Sequence, residues 1–205
     1  FPYTTLFRSS TTPEVFEVVQ KVLSGQVLRT LANQLIGYGA NAVGLSAGDG
    51  ATVRAEKMEP VVDGKALDIG LVGDAATTDP KLLRVLLDSG FLPVISPVAV
   101  SETGQGLNLN GDLAAGAVGG ALKADEVIFM TDVAGIYRNY PDVDSIISSI
   151  TATELKELQP TFAAGMIPKS KAAIAALAAG AKQVRVIDGR DHENLLQALQ
   201  GTGGT

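Results

Sequence analysis

Apolar side chains recur at helical spacing in some stretches of the chain and form short, dense runs in others. The first helical pattern runs from Val15 to Leu35, after Thr12, a residue type that caps helices, and Pro13, which favours a first turn. Gly37 marks its end. Shorter runs between turn residues predict strands at 42–46, 52–57, 66–72, 92–96, 127–131 and 184–187.

Further helical patterns separate these strands. They are predicted after Asp79-Pro80, over 112–123, after Thr151, over 169–179 and from Asp191 to Leu199. Thr151 with Glu154 has the spacing of a capping box, and the helix over 112–123 consists largely of small residues. Apolar strands that alternate with helices are typical of a mainly parallel sheet covered on both faces, so the predicted class is α/β.

The net charge and the scarcity of cysteine and histidine restrict the functions and the catalytic groups that this chain can have. Sixteen Lys and Arg stand against 22 Asp and Glu, and this net charge of −6 argues against non-specific nucleic-acid binding. No apolar run in the sequence reaches the ~20 residues that a membrane span needs. The chain has no cysteine and one histidine, His192, which excludes thiol nucleophiles and paired imidazoles and favours a reducing, cytoplasmic setting. Catalysis is therefore expected from carboxylates, lysines, backbone amides and a borrowed metal.

The two ends do not continue the pattern. Residues 1–9, FPYTTLFRS, have no helical period and no signal-peptide layout, and they resemble a translated sequencing-adapter oligonucleotide. We therefore expect residues 1–10 to be a non-native artefact and the natural domain to cover 11–205; a disordered natural terminus is the alternative. The tail GTGGT has no closing element, so we expect a gene model cut at both ends.

The first candidate site is a glycine-rich turn at the end of the strand at 42–46. It reads GLSAGDG from Gly44 to Gly50 and contains Ser46. Ligands of open α/β sheets gather at the carboxyl ends of strands, and glycines allow backbone amides to approach an anion closely. An ordinary structural turn explains the same residues equally well.

The second candidate site is LNLNGD, just before the small-residue helix. Asn108 and Asn110 can both donate and accept hydrogen bonds, and Asp112 stands at the helix start. Helix capping by Asn110 or Asp112 is one interpretation, but it needs only one of these residues. Three polar groups at alternate positions favour a ligand site.

The third candidate combines TDVAGIY, which follows the strand at 127–131, with GMIPK, which opens a later helix. Lys169 would lie at a helix N-terminus, where a cation opposes the macrodipole unless an anion lies between them. Lys169 is therefore the strongest catalytic candidate; a solvated surface lysine is the alternative. The segment lacks the glycine that a P-loop has before its lysine, because Pro168 occupies that position.

Taken in order, LNLNGD, FMTDVAGIY and GMIPK resemble the amino-acid-kinase family, and order and spacing match over residues 11–205. The resemblance implies an αβα three-layer sandwich with a mainly parallel sheet, incomplete at its N-terminus. It implies phosphorylation of the side-chain carboxylate of N-acetyl-L-glutamate in arginine biosynthesis, with ATP and Mg²⁺. It also implies a cytoplasmic homo-oligomer, formed through the helix that begins at Pro13, with no nucleic-acid or membrane partner.

The resemblance further implies roles for individual residues. Lys169 would stabilise charge on the transferring phosphoryl group, and Asp112 would organise the catalytic lysines. The implied substrate contacts are Gly44, Ser46, Asn108 and Asn110, and the implied nucleotide contacts are Asp132, Gly135, Ile136, Tyr137 and Met166. No residue is assigned to a metal.

Departures from the family pattern lower the expected activity. The family's N-terminal Lys-x-Gly-Gly strand, which grips the β and γ phosphates, is absent from the sequence, and Gly48 stands where a lysine is usual. Loss of an organising cation costs roughly 10²–10³ in rate, by analogy with oxyanion-hole donors. We expect the chain as written to be inactive or nearly so. The alternatives are a sister kinase with another carboxylate or phosphate acceptor, and a catalytically dead nucleotide-binding module.

Overall fold

The structure, a computed structural model, describes residues 10–62, 64–162 and 165–205. Residues 1–9, for which we predict an origin in a sequencing adapter, lie outside the described residues. The helices are α1 (Pro13–Val19), α2 (Leu28–Gly37), α3 (Lys81–Asp88), α4 (Gly111–Ala121), α5 (Ala152–Leu158), α6 (Met166–Ala179) and α7 (His192–Leu199). The strands are β1 (Ala42–Ser46), β2 (Val53–Lys57), β3 (Val61–Val62), β4 (Lys65–Ala66), β5 (Val72–Thr78), β6 (Leu92–Ser96), β7 (Val98–Val100), β8 (Gly106–Leu109), β9 (Val127–Thr131), β10 (Ile136–Tyr137), β11 (Ile146–Ile147) and β12 (Val184–Asp188).

The described chain divides by its contacts into two compact units, residues 10–114 and residues 115–205. In the first unit, the predicted helix from Pro13 forms as α1 and α2, joined by a π-helical segment at Gln20–Val27. Thr12 caps it as predicted, because its hydroxyl accepts a hydrogen bond from the Val15 amide at 3.3 Å. The π-helical segment is tied down by the hydroxyl of Ser24, which lies 2.7 Å from that of Ser96.

Strands β1 and β6 of the first unit pair in parallel over their full length, Ala42 to Ser46 against Leu92 to Ser96. The predicted bounds of both strands are confirmed. The helix α3 lies between them in the chain, and such a crossover is what parallel pairing requires.

The remaining long strands of the first unit form a ring in the order β2, β5, β8 and β7. The prediction of a strand at 66–72 is wrong, since most of that stretch lies outside strands and β5 covers Val72–Thr78 instead. Strand β5 reads VGDAATT, whose small and polar residues give no apolar signal in the sequence. Ring pairing is mixed: β2 with β5 and β7 with β8 are antiparallel, β5 with β8 parallel. β2 with β7 is also parallel, through Arg54 and Val100, so parallel and antiparallel pairs alternate around the ring. The predicted parallel pairing is seen without such mixing for β1 with β6.

A close approach between helix and strand organises the core of the first unit. Phe16 of α1 is 7% exposed, and its ring lies directly against the backbone of Gly106 in β8. A Cβ atom at residue 106 would lie 2.5 Å from Phe16 Cζ and 2.7 Å from Cε1, closer than any real packing contact. Only glycine therefore lets α1 pack here without displacement.

In the second unit, β9 and β12 pair in parallel from Val127 with Val184 to Thr131 with Asp188. The small residues of α4 allow it to approach α6 closely, since a Cβ at Gly120 would lie 2.5 Å from Ala179 Cβ. The predicted capping box of Thr151 and Glu154 is confirmed in α5, and Asp191 caps α7 as predicted. Helix α6 begins at Met166 rather than at Lys169.

Within the described ranges, no helix combines the length and the apolar character needed to cross a bilayer.

We predict that Gly106→Ala destabilises the protein by about 1–3 kcal/mol, because the added methyl group overpacks the contact with Phe16. Gly111→Ala is the matched control, since a Cβ at residue 111 meets nothing within 4 Å. Urea unfolding of both variants checks this. Equal stabilities of the two variants would contradict the packing argument.

Candidate functional site

A cavity of about 530 Å³ lies in the second unit, where β9 ends and α6 begins. Such a volume is in the usual range for small-molecule sites. Its lining combines aromatic, polar and charged side chains: Thr131, Asp132, Val133, Tyr137, Arg138, Asn139, Tyr140, Thr161, Phe162, Gly165, Met166 and Lys169. These come from the end of β9, the loop that follows it, the loop before α6 and the first turns of α6.

The loop after β9 carries the aromatic wall. The rings of Tyr137 and Tyr140 meet edge to face, with centroids 5.4 Å apart and planes at 87°. Strands β10 and β11 hold the start and the end of this loop together by antiparallel pairing. Ser145 holds the part between, because its carbonyl accepts the Arg138 amide at 2.9 Å and its hydroxyl accepts the Asn139 amide at 3.1 Å.

A second part of the lining is the N-terminal end of α6. Gly165 and Met166 open the helix and Lys169 follows on its first turns, so a lysine and the helix N-terminus face the same cavity. Ser170, fully buried, fixes this end, since its hydroxyl donates to the Ile167 carbonyl at 2.9 Å. The same hydroxyl accepts from Gln159 Nε2 at 2.9 Å. A cation beside a helix N-terminus makes this wall suited to an anion.

Charges at the rim are mixed. Asp132 is the carboxylate among the lining residues, and Arg138 and Lys169 are the cations. Just beyond β12, Arg190 donates two hydrogen bonds to the Asp188 carboxylate, from Nε at 2.9 Å and from Nη2 at 2.6 Å. This hydrogen bonding lowers the pKa of Asp188 to about 2, so its carboxylate stays ionised at all ordinary pH values.

Three of the predicted nucleotide contacts, Asp132, Tyr137 and Met166, meet at this cavity, and the catalytic candidate Lys169 lines it with them. Gly135 and Ile136 belong to the same loop but are not among the lining residues. The amide of Ile136 donates to the Thr205 hydroxyl at 2.9 Å, and its side chain is buried.

Sequence reasoning missed several lining residues. These are Thr131, Val133, Arg138, Asn139, Tyr140, Thr161 and Phe162. Thr131 and Val133 belong to the motif TDVAGIY itself, and extending that motif by three positions would have included Arg138, Asn139 and Tyr140. Thr161 and Phe162 stand before GMIPK and carry no comparable signal.

In the first unit, the motif LNLNGD lies on β8 and the start of α4. Asn108 is half-buried on β8, and its backbone N–H donates to the Leu71 carbonyl at 2.8 Å. Asn110 caps α4, because its Oδ1 accepts the amides of Asp112 at 3.0 Å and Leu113 at 3.2 Å. Asp112 lies in the first turn of α4. Capping therefore accounts for Asn110, and its role towards a substrate stays a prediction.

The turn after β1 uses its amides within the fold. Ser46 donates to Asp49 Oδ2 at 2.9 Å, Ala47 to the Ser96 carbonyl at 3.0 Å, and Gly48 to the Val98 carbonyl at 2.9 Å. These bonds favour the structural interpretation of the turn over an anion-binding nest. Gly44 lies within β1, where its carbonyl accepts Arg29 Nη2 at 3.2 Å. Substrate contacts by Gly44 and Ser46 stay predictions.

A comparison with models of known protein families identifies the family of this chain. The family model described as "Amino acid kinase family" matches residues 3–188. The chain belongs to the amino acid kinase family. The resemblance drawn from LNLNGD, FMTDVAGIY and GMIPK is thereby confirmed at the level of the family.

Curated relatives share much of the sequence. The chain is 44% identical over 196 residues to an acetylglutamate kinase of Leifsonia xyli subsp. xyli, and 43% identical over 204 residues to one of Paenarthrobacter aurescens. Each match covers 94% of this chain and 65% of the relative. The chain thus spans slightly less than two thirds of the length of these relatives.

Solved structures share the fold. An N-acetylglutamate synthase of Neisseria gonorrhoeae, complexed with coenzyme A and N-acetyl-glutamate, matches with a TM-score of 0.78 and 28% identity, over 95% of this chain and 43% of that one. A carbamate kinase of Giardia lamblia bound to AMP-PNP matches with a TM-score of 0.67 over 98% of this chain and 75% of that one. Its 19% identity bears on the fold alone. The predicted three-layer α/β class is confirmed by these neighbours.

We predict that Asn110→Ala destabilises the protein by about 1 kcal/mol, because the first amides of α4 lose their acceptor. Asn110→Asp should keep near-wild-type stability, since a carboxylate caps helices equally well. Thermal unfolding of the two variants checks this. A loss as large in Asn110→Asp as in Asn110→Ala would contradict the capping role.

Proposed function

We propose that this protein transfers the γ-phosphoryl group of ATP to the side-chain carboxylate of N-acetyl-L-glutamate, within arginine biosynthesis. The observation that carries the proposal is the cavity of the second unit, where Lys169 and the N-terminus of α6 face an aromatic wall. Relatives named acetylglutamate kinase, at 43–44% identity, support the choice of reaction. Under this proposal residues 11–205 act as one amino-acid-kinase domain.

The lining of the cavity fits a nucleotide. The edge-to-face pair of Tyr137 and Tyr140 offers apolar ring surface to a base, while Lys169 and Arg138 offer cations to phosphates. The helix N-terminus adds backbone N–H groups with partial positive charge. A cavity of about 530 Å³ holds a large part of such a ligand. We assign Asp132, Tyr137 and Met166 to nucleotide contacts, with Gly135 and Ile136 supporting the loop.

The chemistry needs few protein groups. A substrate carboxylate of the glutamate type ordinarily has a pKa of ~4.3, so it is ionised at neutral pH and attacks without a general base. Its oxygen forms a bond to the γ-phosphorus while the bond from phosphorus to the β,γ-bridging oxygen breaks, and that electron pair leaves with ADP. The products are an acyl phosphate and ADP. Positioning and cations around the spreading charge are then the main demands on the protein.

Lys169 meets the demand for a cation in this proposal, as the group that stabilises negative charge on the transferring phosphoryl group. We assign Asp112 to organising the catalytic lysines, and Asn108 to the substrate. Asn110, Gly44 and Ser46 are further assigned to the substrate's surroundings. The half-buried position of Asn108 on β8 and the first-turn position of Asp112 on α4 are compatible with these assignments.

Magnesium enters this proposal with the nucleotide. In the part of the chain that the structure describes, no group of three or more His, Cys, Asp and Glu side chains could hold a metal ion. Mg²⁺ in phosphotransferases is commonly held by substrate phosphates and one or two carboxylates, so no protein cage is required. When bound, the ion neutralises phosphate charge. We assign no residue to it.

A second candidate function rests on the fold neighbour described above that is not a kinase. The synthase of Neisseria gonorrhoeae is complexed with N-acetyl-glutamate and shares this fold at a TM-score of 0.78. The fold thus also serves a protein with another activity, and a module that binds ligands without phosphoryl transfer is the alternative. Turnover separates the two.

The proposal includes a cytoplasmic homo-oligomer. The helix from Pro13 exposes apolar side chains, among them Val18 at 59% and Leu31 at 45%, which suits a helix that packs against a second copy. The cysteine-free composition suits a reducing compartment.

We predict that the 205-residue chain binds ATP and that Lys169→Ala weakens this binding about tenfold, since a charge-assisted contact to phosphate is lost. Lys171→Ala is the matched control, because Lys171 lies on the same helix, is exposed, and is not among the lining residues. Isothermal titration calorimetry measures both. Equal affinities for the two variants would contradict the role of Lys169.

We further predict acyl-phosphate formation, trapped with hydroxylamine, when the chain is joined to the N-terminal phosphate-binding segment of an acetylglutamate kinase relative. Lys169→Ala should lower this rate by about 10²–10³-fold, and product should require N-acetyl-L-glutamate. ATP binding without product would favour the non-catalytic module. Product with another carboxylate in place of N-acetyl-L-glutamate would favour a sister kinase.

A further inference from the structure

The turn that follows β12 lies beside the loop that carries the aromatic wall. Asp188, the last residue of β12, pairs in register with Thr131, the last residue of β9. One residue further, the Gly189 amide donates to the Thr131 carbonyl at 2.8 Å. Adjacent strands are ~4.8 Å apart, so Arg190 leaves its strand next to the place where Asp132 leaves the other.

Gly189 makes this approach possible. A Cβ at residue 189 would lie 2.8 Å from Met130 Cβ, so a side chain here would push the turn away from β9. The turn is also fastened on its far side, because Asn194 Nδ2 donates to the Asp188 carbonyl at 3.0 Å. The backbone position of Arg190 is therefore fixed from both directions.

The side chain of Arg190 is oriented as well. It holds Asp188 through Nε and Nη2, and its own amide donates to Asp188 Oδ1 at 3.0 Å. Such a fork leaves the guanidinium with further N–H groups beyond those that face Asp188. The hydrogen bonds to Asp188 are the main cause that raises the pKa of Arg190. The charge of Asp132, a cavity-lining residue, raises this pKa further, as expected for a group close to the guanidinium.

We propose that Arg190 is a positioning residue of the nucleotide site: its charge offsets one of the two negative charges that Asp132 and Asp188 place beside the cavity, so that the polyphosphate of a nucleotide can enter. Without Arg190 both carboxylates would repel phosphates, and the guanidinium held on Asp188 lowers that repulsion. The inference rests on the proposed nucleotide-binding function. It adds a residue that lies outside the motifs TDVAGIY and GMIPK.

A matched control stands at the other end of the same strand. Lys182 and Asp125 also form an exposed ion pair, at 2.6 Å, in the same unit. Lys182 precedes β12, whereas Arg190 follows it, and each residue of a strand adds ~3.3 Å. The two cations therefore lie at opposite ends of the strand. If any exposed ion pair of this unit contributed to nucleotide binding, Arg190→Ala and Lys182→Ala would weaken the binding alike.

The experiment measures binding of ADP, AMP and adenosine to the 205-residue chain by calorimetry. Arg190→Ala should weaken ADP binding about five- to tenfold, AMP binding less, and adenosine binding little, because the effect scales with ligand charge. Raising the ionic strength from about 0.01 M to about 1 M should reduce the difference in ADP affinity between the wild type and Arg190→Ala, since the Debye length falls from ~30 Å to ~3 Å. Lys182→Ala should bind all three like the wild type.

Two further variants separate charge from structure. Arg190→Lys keeps the charge and should retain most of the ADP affinity. The double variant Asp188→Asn with Arg190→Ala has the wild-type net charge at this point and should regain affinity relative to Arg190→Ala alone. Thermal unfolding shows that each variant is folded.

The outcomes are distinct. If the wild type binds none of the three ligands, the proposed function fails and this inference with it. If the wild type binds ADP but Arg190→Ala binds it equally, the inference alone is overturned. Equal losses for ADP and adenosine would also overturn it, since they indicate a structural role for the turn.

Discussion

Parallel pairing brings the carboxyl ends of β9 and β12 to the same level, from Val127 with Val184 to Thr131 with Asp188. Two loops at the candidate nucleotide site in the second unit depend on this register. The loop of Asp132 and Tyr137 begins where β9 ends, and the turn of Gly189 and Arg190 begins where β12 ends. A shift by one residue would turn the side chains of either strand to the other face and separate the two loops.

The helix α6 completes the wall because α4 and α6 approach closely. Small residues on both helices, such as Gly120 and Ala179, let their backbones come near each other. The buried hydroxyl of Ser170, bonded to the Ile167 carbonyl and to Gln159, then holds the start of α6 and the segment before it together. Lys169 is thus presented by an ordered helix end, which limits the conformational entropy lost when an anion binds.

Much of this organisation could be predicted from the sequence, for local physical reasons. Dense apolar runs gave the bounds of β1, β6 and β9, and the side-chain caps at Thr12, Thr151 and Asp191 gave helix starts. These signals lie within a few neighbouring residues. The family motifs added Asp132, Tyr137, Met166 and Lys169, which meet at one cavity.

What the sequence could not give depends on distant contacts. Strand β5 has small and polar residues and exists because β2 and β8 pair with it. Strands β10 and β11 have two residues each and form because the loop closes on itself. The position of Arg190 follows from the register of two strands more than 50 residues apart, which no local pattern encodes. No local pattern indicates that Thr161 and Phe162 line the cavity either, because this depends on how the start of α6 packs in the fold.

The walls of the cavity come from one uninterrupted stretch of the chain. Among the residues that the structure describes, all that line it fall between positions 131 and 169, so a single segment of the gene encodes them. Recombination between relatives at points on either side of this segment would transfer the whole cavity at once. Arg190 lies outside it and would be inherited separately, so charge balance at the rim would have to be re-established after each such exchange.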